Sequence, residues 1–300
     1  YVIINKYLCT LMEKEEEERK INENYVDPML KKLTHDLKML DEKLVETIVL
    51  DSVNGGGQGP ERITSVLFLK TLVKLGNFNS GNKSNFIIKA LTNTNMLSSL
   101  IRSLTSLDEI ISNEDNDTDD NDYNITFDDV KYELTVFKFT MNLLNDIAAT
   151  KLGAYELLQN DVMAVVNKLK FDSIDLNLGT HLEFIEYINL NQKMRGEIRI
   201  KLDSNNFLDN LNGNLISVFD FITPIFKLIT IILSSLGVEN KQLKISINKF
   251  LAKYDHQIKN LLKRDSLLVE QQDKPKNIKY ANDLQNVIKL IILLFNELNE

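Results

Sequence analysis

Leu30, Leu33, Leu37, Leu40, Leu44 and Ile48 recur at steps of three and four, which aligns them on one stripe of a helix. Leu134, Phe137, Met141, Leu144 and Ala148 repeat the spacing. So do Leu243, Ile247, Phe250, Leu251, Tyr254, Ile258, Leu261 and Leu262 within 241–264, and Ala281, Leu284, Ile288, Ile291, Phe295 and Leu298 near the end. Shorter helices are predicted near 63–75, 84–91, 95–111, 152–169, 181–202 and 215–236. The connectors are short, so successive helices are expected to pack as antiparallel neighbours. The pattern predicts an all-α fold.

No fixed-period repeat is visible, so the predicted architecture is an irregular HEAT/armadillo-like helical-repeat solenoid. Residues 1–300 are read as a single solenoid, cut from a longer protein because the sequence opens on Tyr1 and stops within a helical pattern. Two segments interrupt it and are expected to be mobile loops. The first, 52–60, contains VNGGGQGP; the second, 112–124, reads SNEDNDTDDNDYN and has too little apolar surface to offset its ordering entropy.

Composition supports a helical, packed chain: hydrophobic residues make up 43%, with only 11 Gly, 4 Pro and no Trp. A net charge of −8 argues against direct nucleic-acid binding, since the whole-chain balance does not supply the basic face that phosphate neutralisation needs, and leaves room only for a local basic helix. The single cysteine, Cys9, cannot form an internal disulfide, and its apolar setting predicts a buried small hydrophobe. The stretch LISVFDFITPIFKLITIILSSLGV is long enough for a membrane span, but Asp220, Pro224 and Lys227 interrupt it, so it is expected to be a buried central helix.

No chemical motif is complete. The glycine loop lacks the preceding strand and the GK pair of a phosphate-binding loop, while Pro60 and Glu61 suit a helix start. The acidic run lacks the glycine and glutamate of a calcium loop, and His35, His181 and His256 are scattered. No enzyme, metal or cofactor is therefore expected. EKEEEERK pairs Glu15 with Arg19 and Glu16 with Lys20 at i,i+4, as a solvated face would. The 241–264 helix carries Lys241, Lys244, Lys249, Lys253, Lys259, Lys263 and Arg264 opposite its apolar stripe. That face is either solvated, or a ridge for an acidic segment or anionic lipid.

FKFTMNLLNDIAATKLGAYELLQNDVM (137–163), LKFDSIDLNLG (169–179) and ITPIFKLITIILSSLGVENKQLKISINKFLAKYDHQIKNLLKRD (222–265) resemble the C-terminal tail of the large inner-ring scaffold nucleoporins of the nuclear pore complex. The Asn-rich connectors resemble those of budding-yeast proteins. Gly153 and Ala154 would let another helix approach, Pro224 would bend its helix and Gly237 would end it. The resemblance implies a non-enzymatic, monomeric scaffold module at the nuclear envelope that binds short helical segments of linker and adaptor nucleoporins. The alternative is a soluble helical-repeat adaptor of transport-receptor or vesicle-tethering type. Phe226, Phe250, Tyr254 and Phe295 are large enough either to fill the core or to anchor a partner helix, and in the second case Lys253 and Lys259 would steer its acidic flank.

Deleting Asn113 to Asn121 is expected to leave the fold intact, because that stretch has almost no apolar side chains to bury. A melting temperature lowered by many degrees would contradict this.

Overall fold

The computed structural model describes residues 1–23, 25–38, 42–54, 60–78, 85–112, 126–177, 179–188, 194–201, 215–270 and 278–299. Most of the two expected loops, including residues 55–59 and 113–124, lies outside them. The helices, in chain order, are α1 (Val2–Ile21), α2 (Pro28–Lys38), α3 (Glu42–Asn54), α4 (Pro60–Phe78), α5 (Phe86–Asn93), α6 (Met96–Arg102) and α7 (Thr105–Ser112). They continue with α8 (Phe127–Ala148), α9 (Lys151–Gln159), α10 (Val162–Lys168), α11 (Phe219–Leu236), α12 (Lys241–Lys253), α13 (Asp255–Glu270) and α14 (Ile278–Asn299). Among the described residues the fold is all-α apart from one small sheet, as the helical periodicities predict.

Four predicted helices are each two, among them the 241–264 helix, which divides at Tyr254 into α12 and α13. The 30–48 stripe divides between α2 and α3, and Leu44 is exposed rather than buried with Leu30 and Ile48. The 95–111 segment divides between α6 and α7, and 152–169 between α9 and α10; Asp161 takes positive φ at the second of these joints, as Asn95 does just before α6. That conformation suits Asn and Asp better than most residues.

The 181–202 helix is corrected to a β-hairpin. β1 (His181–Ile188) and β2 (Met194–Lys201) pair antiparallel from His181 opposite Lys201 to Ile188 opposite Met194. β3 (Leu215–Ser217) adds to the other side of β1, giving the order β2-β1-β3. The sequence MRGEIRIK alternates polar and non-polar positions with period two, the strand pattern. Leu182 and Phe184 of β1 are accordingly buried, and Glu183 faces Arg199 across the ladder.

The chain divides into two compact units, Tyr1–Ser103 with Phe139–Val162, and Leu104–Lys138 with Met163–Glu300. In the first, α3 packs on α4, α1 on the same α4, and α5 and α6 on α3. Ile48, Val49, Leu69, Val73, Ile88 and Leu91 are wholly buried there. Only Leu8, Met12 and Glu15 of α1 are buried, so Glu15 does not belong to a solvated face. Its carboxylate pairs with Arg19 at 2.6 Å and accepts the Asp27 N–H at 3.2 Å, while Asp27 Oδ1 accepts the Met29 N–H at 2.8 Å and caps α2. Asn85 acts similarly at α5. Buried beside Gly76, it accepts from the Ile87 N–H at 2.9 Å and donates to the Val73 carbonyl at 2.8 Å. Cys9 is only half-buried, its Sγ 3.7 Å from Thr71 Oγ1.

The second unit is built on α11, against which α14 packs, with α13 packing on α14. Ten α11 side chains are buried, among them Phe221, Ile225, Phe226 and Ile229. α11 is the one described helix long and apolar enough to cross a membrane, at mean hydropathy 1.7. Its burial within the unit supports a core role. Pro224 lies inside it, and Gly237 ends it at φ 77°, ψ 165°, a conformation open to little but glycine.

Gly153 is buried in the first turn of α9, where its N–H donates to the capping Thr150 hydroxyl at 3.1 Å. A Cβ there would overlap the backbone carbonyl of Ile147, at the end of α8. The tight contact is thus with the preceding turn of chain. Replacing a helical glycine by alanine ordinarily stabilises by about 1 kcal/mol. Here Gly153→Ala should instead destabilise, and Gly153→Leu should cost about 1–3 kcal/mol or more through overpacking. A urea midpoint unchanged or raised in Gly153→Ala would refute the contact.

Candidate partner-binding surface

The residues expected to meet a partner lie on four helices of the second unit and the joint between two of them, and their fates differ. Phe226 of α11, Phe250 of α12 and Tyr254 between α12 and α13 are wholly buried. Their rings meet one another, with centroids 5.1 Å apart for Phe226–Phe250, 6.0 Å for Phe226–Tyr254 and 4.5 Å for Phe250–Tyr254. For these three the core reading holds, and the reading of them as anchors for a partner helix is corrected. Large aromatics at helical spacing contribute most when removed from water, and here they meet at the crossing of α11 with the α12–α13 joint.

Lys253 is also diverted inward. Its ammonium donates to the Asn167 carbonyl at 2.9 Å and to the Leu169 carbonyl, and pairs with Asp172 at 2.9 Å. Those carbonyls lie at the end of α10, where a cation complements the helix dipole and satisfies acceptors left without intrahelical donors. Neighbouring side chains hold the same stretch. Gln257 donates to the Asp172 carbonyl, Arg264 to the Leu176 carbonyl, and Asn167 to the Ser246 carbonyl at 3.4 Å. α12 and α13 therefore clamp the segment 167–176, and charge reversal at Lys253 would test folding rather than binding.

The Tyr254 hydroxyl is buried beneath this clamp without a hydrogen-bond partner among the described residues. Burial pushes its ionisation well above the usual tyrosine range, and the Asp172 and Asp108 carboxylates push it further. Burial likewise raises the Asp108 carboxyl, opposed by the Lys170 N–H that donates to it at 2.8 Å.

Two expected residues remain at the surface. Lys259 is exposed and pairs with Asp255 at 2.6 Å, an i,i+4 pair. Phe295 of α14 is 41% exposed, and beside it Ile292 and Leu293 are each 50% exposed, while Ile291 and Leu294 are buried. Ile292 and Leu293 are not among the expected residues, though the sequence carries their signal. Leu290 to Phe295 is an unbroken apolar run, which wraps more than the one stripe a packed helix can bury. Among the described residues, no three His, Cys, Asp or Glu side chains gather to hold a metal.

The profile of the Nup192 family, described as nuclear pore complex scaffold, nucleoporins 186/192/205, matches residues 1–297. The chain belongs to this family. No individual curated protein matches it at a significant level. Membership makes this Nup192-family chain a nuclear pore scaffold nucleoporin, located at the nuclear envelope and interacting with other nucleoporins. The family is structural rather than enzymatic.

The Tyr254 hydroxyl gives this Nup192-family core a measurable signature. A phenol whose pKa is raised on folding holds its proton more tightly in the folded state. Its contribution is therefore intact below about pH 10 and is lost as pH climbs above the unfolded value. Tyr254→Phe should leave neutral-pH stability unchanged or higher, since the hydroxyl is desolvated without return, and should flatten the alkaline decline. Urea unfolding at neutral and alkaline pH measures both. A large neutral-pH loss would show that the hydroxyl is bonded after all.

Proposed function

We propose that this chain serves in the inner ring of the nuclear pore scaffold, where it binds short helical segments of linker and adaptor nucleoporins. The observation that carries the binding role is the α14 surface. Ile292, Leu293 and Phe295 form an exposed apolar patch on a helix whose opposite side is anchored against α11. A rigidly held helix with large apolar side chains turned to solvent is the half-site that an amphipathic partner helix completes. Family membership supports the scaffold reading over a transport-receptor-like or tethering adaptor. The partner surface is therefore on α14 and not at the buried Phe226–Phe250–Tyr254 cluster, and of the four aromatics expected from the sequence it includes Phe295.

Ile292→Asp with Phe295→Asp is expected to weaken binding of helical linker peptides from pore adaptors by about thirtyfold or more, as loss of an interface hot spot does. Calorimetric titration measures this, and circular dichroism verifies that the variant stays folded. A folded variant binding with wild-type affinity would remove α14 from the interface. Failure of the tagged protein to copurify with inner-ring components would remove the inner-ring assignment.

A further inference from the structure

Across the α12–α13 joint the backbone keeps helical hydrogen bonds, Tyr254 N–H to the Phe250 carbonyl at 3.0 Å and Ile258 N–H to the Tyr254 carbonyl at 2.9 Å. The exposed faces of the two helices therefore stay in phase. Lys241, Ile245, Lys249, Ala252, His256, Lys259 and Lys263 follow at steps of three and four, and all are exposed. Lys244 is exposed beside them, reaching the Leu298 carbonyl of α14 at 3.4 Å. The exposed acids of this stretch are Glu239, just before α12, and Asp255, paired with Lys259. In a chain of net charge −8, this is a local reversal of sign.

Ile245 sets this ridge apart from an ordinary solvated face. It is 71% exposed, with Lys241 one turn before and Lys249 one turn after. An apolar side chain framed by flexible cationic ones, on the outer face of a helix whose inner face is fixed by Leu243, Ile247 and Phe250, offers one insertable side chain together with electrostatic attraction to anionic lipid. The charges are lysines, point charges on long stems that adapt to a diffuse anionic surface, rather than arginine forks that fix a particular carboxylate. They line one face that passes from α12 into α13 across the Tyr254 joint. The family's location at the nuclear envelope puts a bilayer within the protein's surroundings.

We infer that the α12–α13 ridge docks on anionic lipid, with Ile245 entering the headgroup layer between Lys241 and Lys249. This surface is separate from the α14 patch and does not rest on the proposed linker binding. The test is flotation of the chain with phosphatidylcholine vesicles, with and without phosphatidylserine. Binding should require phosphatidylserine and weaken with salt. Lys241→Glu with Lys249→Glu should lower partitioning at least about tenfold, from the contribution of each basic residue near such a surface, and Ile245→Ser should lower it severalfold. All three positions are exposed, so the variants should keep the wild-type circular dichroism and melting temperature. The Ile292→Asp, Phe295→Asp variant should float as wild type does. Equal partitioning onto both vesicle types, or undiminished flotation of the folded lysine variant, would overturn the inference. So would binding to a polyglutamate peptide with indifference to vesicles, which would assign the ridge to an acidic protein segment.

Discussion

Removal of the α11 side chains from water is the interaction on which the second unit depends. Full burial of each large apolar side chain contributes about 1.5–3 kcal/mol, and α11 buries ten residues, mostly of that kind. The other elements are arranged to cover it. α14 lies along it, Phe226 receives Phe250 and Tyr254, and Phe221 meets Phe171 at 5.1 Å, which in turn meets Phe137 of α8 at 5.8 Å. Even the sheet is tied to its start: β3 ends at Ser217, whose hydroxyl accepts the Phe219 N–H at 3.3 Å. The feature that gives this segment the look of a membrane span in the sequence is the feature that organises the fold.

Once the apolar surfaces are covered, helix ends become the costly sites, since each leaves backbone donors and acceptors without intrahelical partners. This chain meets the problem with buried or half-buried polar side chains. Glu15 and Asp27 serve the start of α2, Asn85 the start of α5, and Lys253 the end of α10. Lys253 comes from a helix more than eighty residues away. Such clamps specify position as well as energy, because an apolar contact tolerates sliding and a hydrogen bond to a particular carbonyl does not. They offer a physical basis for a scaffold built from helices with no repeating sequence.

Both surfaces assigned binding roles lie where that economy of burial leaves something over. On α14, Leu290 to Phe295 gives the helix more apolar surface than α11 and α13 cover. On α12, the outward Ile245 sits among lysines that the inner face does not use. A rigid framework with limited exposed apolar area is what a protein-binding scaffold requires, since a larger patch would invite non-specific association.

The sequence by itself determined the helical class, the buried course of α11 and the start of α4 at Pro60, because periodicity, length and proline geometry act over one or two turns. The hairpin was legible too, in the period-two alternation of MRGEIRIK, though the i,i+3 apolar spacing nearby masked it. Tertiary structure decided the rest. Phe250, Tyr254 and Phe295 occupy equivalent places in their amphipathic patterns, yet the first two are buried and the third is not. Nothing local distinguishes them, because burial depends on whether another element happens to lie opposite. Lys253 and Lys259 are both lysines on a polar face, and only the nearness of the α10 carbonyls turns one into a structural clamp while the other stays in solvent.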